Sequence, residues 1–140
     1  MSFTMDLNSA YVEVVEGSIN ETVYKTAAKA LQAAVTGTPV GNPSLWQNPE
    51  GAPEGYTGGH ARRNWLVEVD VFTPLEVDGI DSNGTSTISE GTREAKRFDI
   101  KRNLILNIHN SVPYINRLNN GWSEQAPAGF VDRAIQAATQ

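Results

Sequence analysis

The sequence predicts an α+β fold in which an antiparallel sheet of three to five strands packs with an N-terminal helix pair and short C-terminal helices. Apolar residues recur at helical spacing near both ends of the chain, and two segments between them alternate like half-buried strands. Turn-forming residues separate these segments. The 140 residues match the size of one domain, so we expect a single domain, 1–140, with a long loop at 37–61.

Two stretches predict the N-terminal helix pair. The first helix begins at about Asn8, where the apolar residues that follow fall at helical spacing. The second spans roughly 19–36, because Ser18 and Glu21 have the spacing of a capping box and an apolar face follows them. Gly37 then ends this helix, since glycine accepts the left-handed backbone of a helix end.

The stretch from Thr38 to His60 is rich in proline and glycine and predicts an unusually long loop. Trp46 and Tyr56 lie within it. These side chains either fold back on their own domain or anchor in a neighbouring subunit, since Trp and Tyr are enriched among the residues that contribute most to binding. We therefore regard both as candidate interface residues.

The middle of the chain predicts a strand, a connection, a helix and a second strand. The strand at 64–72 has an inward face formed by Trp65, Val67, Val69 and Val71. Residues 73–86 carry turn formers and predict an extended connection, and 87–99 has helical spacing. The second strand, at 104–109, is expected to turn inward its residues Leu104, Leu106 and Ile108.

The end of the chain predicts two short helices. Residues 112–118 begin like a helix, with a proline at the first position, and Gly121 follows the helix end. The last helix runs to 138 with an apolar face formed by Phe130, Val131, Ala134, Ile135 and Ala138. Trp122 and Gln125 lie between these helices, where a partner could dock.

The composition disfavours or excludes several classes of function. The chain has no cysteine, which excludes disulfides and thiolate catalysis, and its two histidines have no partner at metal-ligand spacing. It has neither a nucleophile elbow nor a phosphate-binding glycine loop. We therefore predict no enzyme activity, no catalytic residue, no metal and no cofactor. No apolar stretch is long enough to span a membrane and no signal peptide is recognised, so we expect synthesis in a cytoplasm.

Positive charge is concentrated in one short segment, although the formal net charge of the chain is -5. This segment, which we call the basic cluster, holds five of the eleven Lys and Arg residues: Arg93, Lys96, Arg97, Lys101 and Arg102. It is either the solvated side of a helix or a surface that faces an acidic partner or DNA without base specificity. The pair Arg62 and Arg63 has the same two interpretations, and we expect a subunit or partner contact there.

Two motifs in the chain point to a family. One consists of Pro113-Tyr114-Ile115, Leu118-Asn119-Asn120-Gly121-Trp122-Ser123 and Gln125-Ala126-Pro127-Ala128-Gly129-Phe130-Val131. The other consists of Thr38-Pro39-Val40 and Gly58-Gly59-His60-Ala61-Arg62-Arg63-Asn64-Trp65. In order and content they resemble the motifs of tail-completion, or neck, proteins of tailed bacteriophages. The chain departs from that family by the length of its 41–57 segment, which lies between the halves of the second motif.

The resemblance implies a structural virion protein at the junction between the DNA-filled head and the tail. Its subunits would form a homo-oligomeric ring, with a hexamer expected, that joins the head connector or stopper to the tail tube or terminator protein and lets DNA pass. A tail terminator that caps the tail tube is the alternative in the same class. A small ligand-binding or nucleic-acid-binding domain is less favoured, because histidines are few and the net charge is negative.

Overall fold

One long N-terminal helix dominates the fold. The computed structural model describes residues 2–42, 49–51, 54, 58–121 and 128–139, with the side chains in these ranges except those of 2–13 and 49. Helix α1 spans Ser2–Gly37 and, at 1.5 Å per residue, is about 54 Å long. It enters the core from Ala27 onward, whereas none of its described side chains before Ala27 is buried.

This single helix replaces the predicted helix pair. The hydroxyl of Thr22 donates to the Ser18 carbonyl at 2.9 Å, and Glu21 pairs with Lys25 at 2.8 Å instead of closing a capping box. Gly17, next to the predicted boundary, keeps a helical backbone. A glycine inside a helix costs only about 0.5–1 kcal/mol, which the continuous hydrogen-bond ladder of a long helix offsets. The predicted boundary at residue 18 was therefore wrong.

Short helices and two strands follow α1 in the described ranges. A 3-10 turn at Pro49–Gly51 precedes α2 (His60–Arg63), β1 (Leu66–Val69), α3 (Thr85–Ala95), β2 (Leu106–His109), α4 (Ile115–Asn119) and α5 (Phe130–Ala138). The strands pair antiparallel, with Leu66 opposite His109 and Val69 opposite Leu106. The predicted mixture of helix and antiparallel sheet is confirmed at this level. The described residues contain two strands, so a sheet of three to five strands is not confirmed.

One backbone hydrogen bond, from the Asp70 N–H to the Ile105 carbonyl at 2.8 Å, and several side-chain contacts hold the residues just beyond the paired segment. Asp70 has a φ of 61°, and its carboxylate accepts hydrogen bonds from the backbone N–H groups of Leu104 and Ile105. A left-handed backbone at a residue other than glycine cannot continue a strand, so β1 ends there. Val71 and Leu104 were predicted to face the core, but they lie beyond the paired segment and are 55% and 88% exposed.

The core lies where the C-terminal half of α1 meets α3, α5 and the sheet. Its buried members are Ala27, Leu31, Ala34, Val35, Trp65, Val67, Ala95, Phe130 and Ala134. The inward positions predicted for Trp65, which directly precedes β1, and for Phe130 in α5 are thus confirmed. Ile135, predicted on the same apolar face of α5, is exposed. It lies about 100° round the helix from Ala134, outside the narrow stripe that contacts α1.

Two predicted helices appear with shifted boundaries. The helix predicted at 87–99 is α3, and the predicted apolar residues Ala95 and Phe98 are buried at and just beyond its end. The helix predicted at 112–118 is α4, and Gly121 follows it with a φ of 84°, the backbone that the sequence predicted for a helix stop.

Gly91 is required by close packing between α3, α1 and β1. A Cβ at this position would overlap Leu31 Cδ2 and would lie 3.0 Å from Val67 Cγ2. Leu31 is itself fully buried, so its side chain would have to repack within the core. We therefore expect Gly91→Ala to lower the free energy of unfolding by about 1–3 kcal/mol, as overpacking does, despite the higher helix propensity of alanine.

Gly17→Ala is the matched control, because a Cβ at Gly17 meets nothing within 4 Å in the same helical backbone. This variant is expected to raise the free energy of unfolding by roughly 0.5–1 kcal/mol. Urea denaturation of the two variants measures the difference between them. A similar gain in stability at both positions would contradict the close packing at Gly91.

Candidate interaction surfaces

Arg62 closes the C-terminal end of α1. Its Nε donates to the Thr38 carbonyl at 2.7 Å, and its terminal nitrogens donate to the carbonyls of Thr36 at 3.1 Å and Ser82 at 2.8 Å. The last carbonyls of a helix have no partner within the helix, and a cation is favourable beside them. Arg62 thus joins α1, α2 and the segment before α3. The donors of Arg62 already bind three carbonyls. The contact with a partner that we predicted for Arg62 stays a prediction.

Arg63 is placed differently from its neighbour. It pairs with Glu90 of α3 at 3.3 Å, and a quarter of its side chain is exposed. Arg63 forms one ion pair with the residues that the structure describes, and partly exposed pairs of this kind contribute little to stability. Of the two arginines, Arg63 is the one whose charged end can still reach a partner.

Residues 73–84 form a loop that we call the acidic loop, and buried Asn64 holds it. The Nδ2 of Asn64 donates to the carbonyls of His60 at 2.9 Å and Val77 at 3.1 Å, and its Oδ1 accepts from the Val77 N–H at 2.7 Å. Asn64 is 0% exposed, so solvent does not compete for these bonds. The loop is therefore fixed in one conformation without regular secondary structure.

His60 binds the same loop from the start of α2. Its Nδ1 lies 2.8 Å from the Gly79 carbonyl oxygen, and its Nε2 lies 2.7 Å from the Glu76 carboxylate. Both ring nitrogens face acceptors, an arrangement that suits the doubly protonated imidazolium. Burial alone lowers the pKa of His60, but the hydrogen bonds to Glu76 and Gly79 and the charges of Glu76 and Asp78 outweigh burial and raise the pKa above 6.5.

We expect the free energy of unfolding to fall as the pH rises above about 6.5, the unfolded value for this histidine. Because the folded protein holds the His60 proton more tightly, this stabilisation is fully present below the unfolded pKa and is lost as the pH rises through the folded pKa. Urea titrations from about pH 6 to about pH 9 measure the effect. Glu76→Gln should flatten this pH dependence, and an unchanged slope in that variant would contradict the role of the pair.

The acidic loop presents apolar and acidic side chains to solvent. Leu75 and Ile80 are each about half exposed, and Glu76 and Asp78 lie exposed between them. The loop also contains Asp81 but neither Lys nor Arg. From the sequence we predicted only a connection here, because turn formers do not show which distant side chain will hold them. The run of acids without a base was the available signal.

The basic cluster lies at the C-terminal end of α3 and in the turn that follows. Arg97 pairs with Glu94 at 3.2 Å, one helical turn earlier. Lys101 pairs with Glu16 of α1, also at 3.2 Å. These pairs tie the turn after α3 to the exposed half of α1.

The other three members of the basic cluster form no ion pair with a described carboxylate, although the charge of Arg102 helps to lower the pKa of Asp99. Lys96 lies over the ring of Tyr24, with its Nζ 5.3 Å from the ring centroid. Arg93 and Arg102 are exposed, and neither forms an ion pair with any residue that the structure describes. Two guanidinium groups are thus available to an acidic partner or to DNA.

An exposed apolar surface lies where β1 ends and β2 begins, and we call it the apolar end of the sheet. The bonds of Asp70 to the backbone of Leu104 and Ile105 hold these two residues beside the end of β1, where Val71 and Phe72 follow Asp70, and the Phe72 ring packs edge-on against His109 with 4.7 Å between the ring centroids. All four apolar side chains are at least 55% exposed. Contiguous exposed apolar side chains mark interaction sites.

A pocket of about 370 Å³ lies beside this surface, lined by Glu68, Val69, Val71, Glu94, Arg97 and Asn103. Its polar groups have partners within the fold. The Glu68 carboxylate accepts from the Thr73 N–H at 2.7 Å and contacts the Nε2 of buried His109 at 2.9 Å. The hydrogen bond from the Thr73 N–H is the main cause that lowers the pKa of Glu68. Burial acts in the opposite direction, and the hydrogen bond to His109 lowers the pKa further.

No group of three or more His, Asp and Glu side chains in the described ranges is placed to hold a metal ion. No helix in these ranges has the length and apolar character needed to cross a membrane.

Four predicted interface residues lie outside the part of the chain that the structure describes: Trp46, Tyr56, Trp122 and Gln125. The described candidates fall into separate places. Arg62 and Arg63 lie at the end of α1 and beside α3, and the basic cluster lies at the opposite end of α3.

Comparison with known proteins assigns the chain to no family. The chain matches no family model, no curated protein and no solved structure. A proposal for its function therefore depends on its own motifs and exposed surfaces.

Proposed function

We propose that the chain is a structural subunit of the head–tail junction of a tailed bacteriophage, a neck or tail-completion protein that forms a ring. The observation that carries the proposal is the apolar end of the sheet, where Leu104 is 88% exposed. A small domain with such a surface is expected to bury it against another protein. The two motifs that resemble the neck family supply the choice of partner.

In this proposal the ring is hexameric and lies between the head connector or stopper and the tail tube or terminator protein. The basic cluster faces an acidic partner surface or the DNA in transit, which it would contact without base specificity. Contacts between subunits or with partners are assigned to Arg62, Arg63, Trp46, Tyr56, Trp122 and Gln125.

The proposal is tested by mixing tagged protein with purified headless tails and, separately, with DNA-filled tailless heads, followed by sedimentation and electron microscopy. Binding at one end of the tails would support completion or termination of the tail, and binding at the head portal would support a connector on the head side. Binding to neither particle, while heads and tails still join without the protein, would contradict the proposal.

Leu104→Asp is expected to weaken particle binding by at least about tenfold, because it places a charge in the centre of the apolar end of the sheet. Ile135→Asp is the matched control, since Ile135 is an exposed aliphatic residue on α5. Co-sedimentation over a range of protein concentrations measures both affinities. Equal binding by the two variants would show that the apolar end of the sheet is not the contact.

A further inference from the structure

We infer that the acidic loop of one copy docks on the basic cluster of a second copy, so that subunits associate head to tail through two unlike surfaces. This inference deepens the proposed function and rests on it, because a ring requires a heterologous contact that closes on itself. The occupant of each surface is thus a second copy of this chain.

Opposite charges are separated into these two segments. Residues 73–84 contain three acids and no base, whereas residues 93–102 contain five bases and two acids. The loop leads into the first turn of α3, where Asp81 accepts the Thr87 N–H at 2.7 Å, and the basic cluster begins in the last turn. Eleven residues of helix hold the two ends about 16 Å apart. Their exposed charges are therefore placed to meet those of another copy.

Both surfaces carry exposed charges that form no ion pair in the described ranges, namely Arg93 and Arg102 in the basic cluster and Asp78 in the loop. Arg102 and Asp78 act at longer range on Asp99 and His60. Complementary charges of this kind set the orientation and register of an interface. They favour a head-to-tail contact over one in which like surfaces face each other.

Aliphatic side chains accompany the charges of the acidic loop. Leu75 and Ile80, each about half exposed, flank Glu76 and Asp78. Apolar residues within a charged rim are the usual composition of a protein interface. Burial of these side chains adds a hydrophobic contribution that salt does not screen.

The acidic loop is also pre-organised for docking. Asn64, His60 and Arg62 fix its backbone through Val77, Gly79 and Ser82, at the hydrogen bonds described above. A loop that is already ordered loses little conformational entropy when it binds. The buried side chain of Asn64 thus orders the exposed acidic loop for binding.

Charge reversal tests the inference. Glu76→Lys with Asp78→Lys makes the loop basic, and Arg93→Glu with Arg102→Glu reverses the unpaired part of the basic cluster. Sedimentation velocity and mass photometry over a concentration series measure self-association of the full chain. Each double variant is expected to raise the dissociation constant of self-association at least about tenfold, and about 1 M salt should weaken association of the wild type.

Mixing supplies the decisive readout. An equimolar mixture of the two double variants restores opposite charges at every contact, so association should return to within about threefold of the wild type. Recovery also shows that both variants are folded. Matched controls are Glu21→Lys with Asp132→Lys and Lys25→Glu with Lys29→Glu, which change the same charges at exposed positions of α1 and α5 and should leave association unchanged.

Three results would overturn the inference: a wild type that stays monomeric at all concentrations, double variants that associate normally, or a mixture that does not recover.

If the basic cluster binds DNA instead, only the arginine variant should lose a function, measured as DNA affinity, and charge reversal in the acidic loop should have no effect. The particle assay separates the two proposals. Self-association with the expected recovery but without particle binding would refute the junction role alone, and particle binding unaffected by both reversals would refute this contact alone.

Discussion

Asn64→Asp is expected to lower the free energy of unfolding by about 3–5 kcal/mol, because it places an unpaired charge in a fully buried site. The substitution keeps the shape of the side chain but replaces the Nδ2 donor by an oxygen. That oxygen would face the carbonyl oxygens of His60 and Val77, at the positions where the amide now lies 2.9 and 3.1 Å from them. Two hydrogen bonds become two repulsive contacts. Thermal and urea denaturation measure the loss.

The pH dependence of Asn64→Asp separates charge from shape. A buried carboxyl without a donor has a raised pKa, so the folded variant takes up a proton as the pH falls. Its loss of stability relative to the wild type should therefore be smaller at about pH 4 than at pH 7. A loss of the same size at both pH values would point to altered packing instead.

Asn83→Asp is the matched control for this substitution. Asn83 is exposed, and its Oδ1 already accepts the Thr85 N–H at 3.0 Å, a bond that a carboxylate can keep. The position also precedes α3, where a negative charge is favourable. We expect a change within about 0.5 kcal/mol or a slight gain in stability. A similar loss at both positions would contradict the special role of Asn64.

The sequence predicted the core of this fold better than its boundaries. Alternation in the first strand correctly placed Trp65 and Val67 inside, because a period of two residues is fixed by the pleat. The capping-box pattern at Ser18 failed, because the same residues also suit the middle of a long helix, where Glu21 pairs with Lys25. Local patterns are ambiguous whenever two structures satisfy the same spacing.

The candidate surfaces were only partly predictable. The basic cluster was visible as a run of charges, but its pairing with Glu16 joins residues 85 positions apart, which no local pattern encodes. The partner of Asn64 was also hidden, because no local pattern shows that its side chain binds the backbone of Val77, thirteen positions later. The exposure of Leu104 was not predicted either, because β1 ends at Asp70, whose left-handed backbone only a small share of aspartates adopt.

Polar side chains support both the acidic loop and the apolar end of the sheet. Arg62 and Asn64 fix the acidic loop, and Asp70 fixes the apolar end of the sheet. Each of these side chains binds backbone groups, which positions a whole segment rather than one neighbour. Loss of stability and loss of assembly must therefore be measured separately for substitutions at these residues.

Arg62→Ala is expected to lower the free energy of unfolding by about 2–4 kcal/mol, since hydrogen bonds from a charged donor are worth about 1.5–3 kcal/mol and part of this loss is recovered by hydration. The carbonyls of Thr36, Thr38 and Ser82 would lose their donors, and the end of α1 would lose its cation. Arg63→Ala is the matched control and should cost less than about 1 kcal/mol, because it removes one exposed ion pair. Urea denaturation measures both. If Arg62→Ala kept full stability but lost self-association, Arg62 would be an interface residue instead of the support for α1 and the acidic loop.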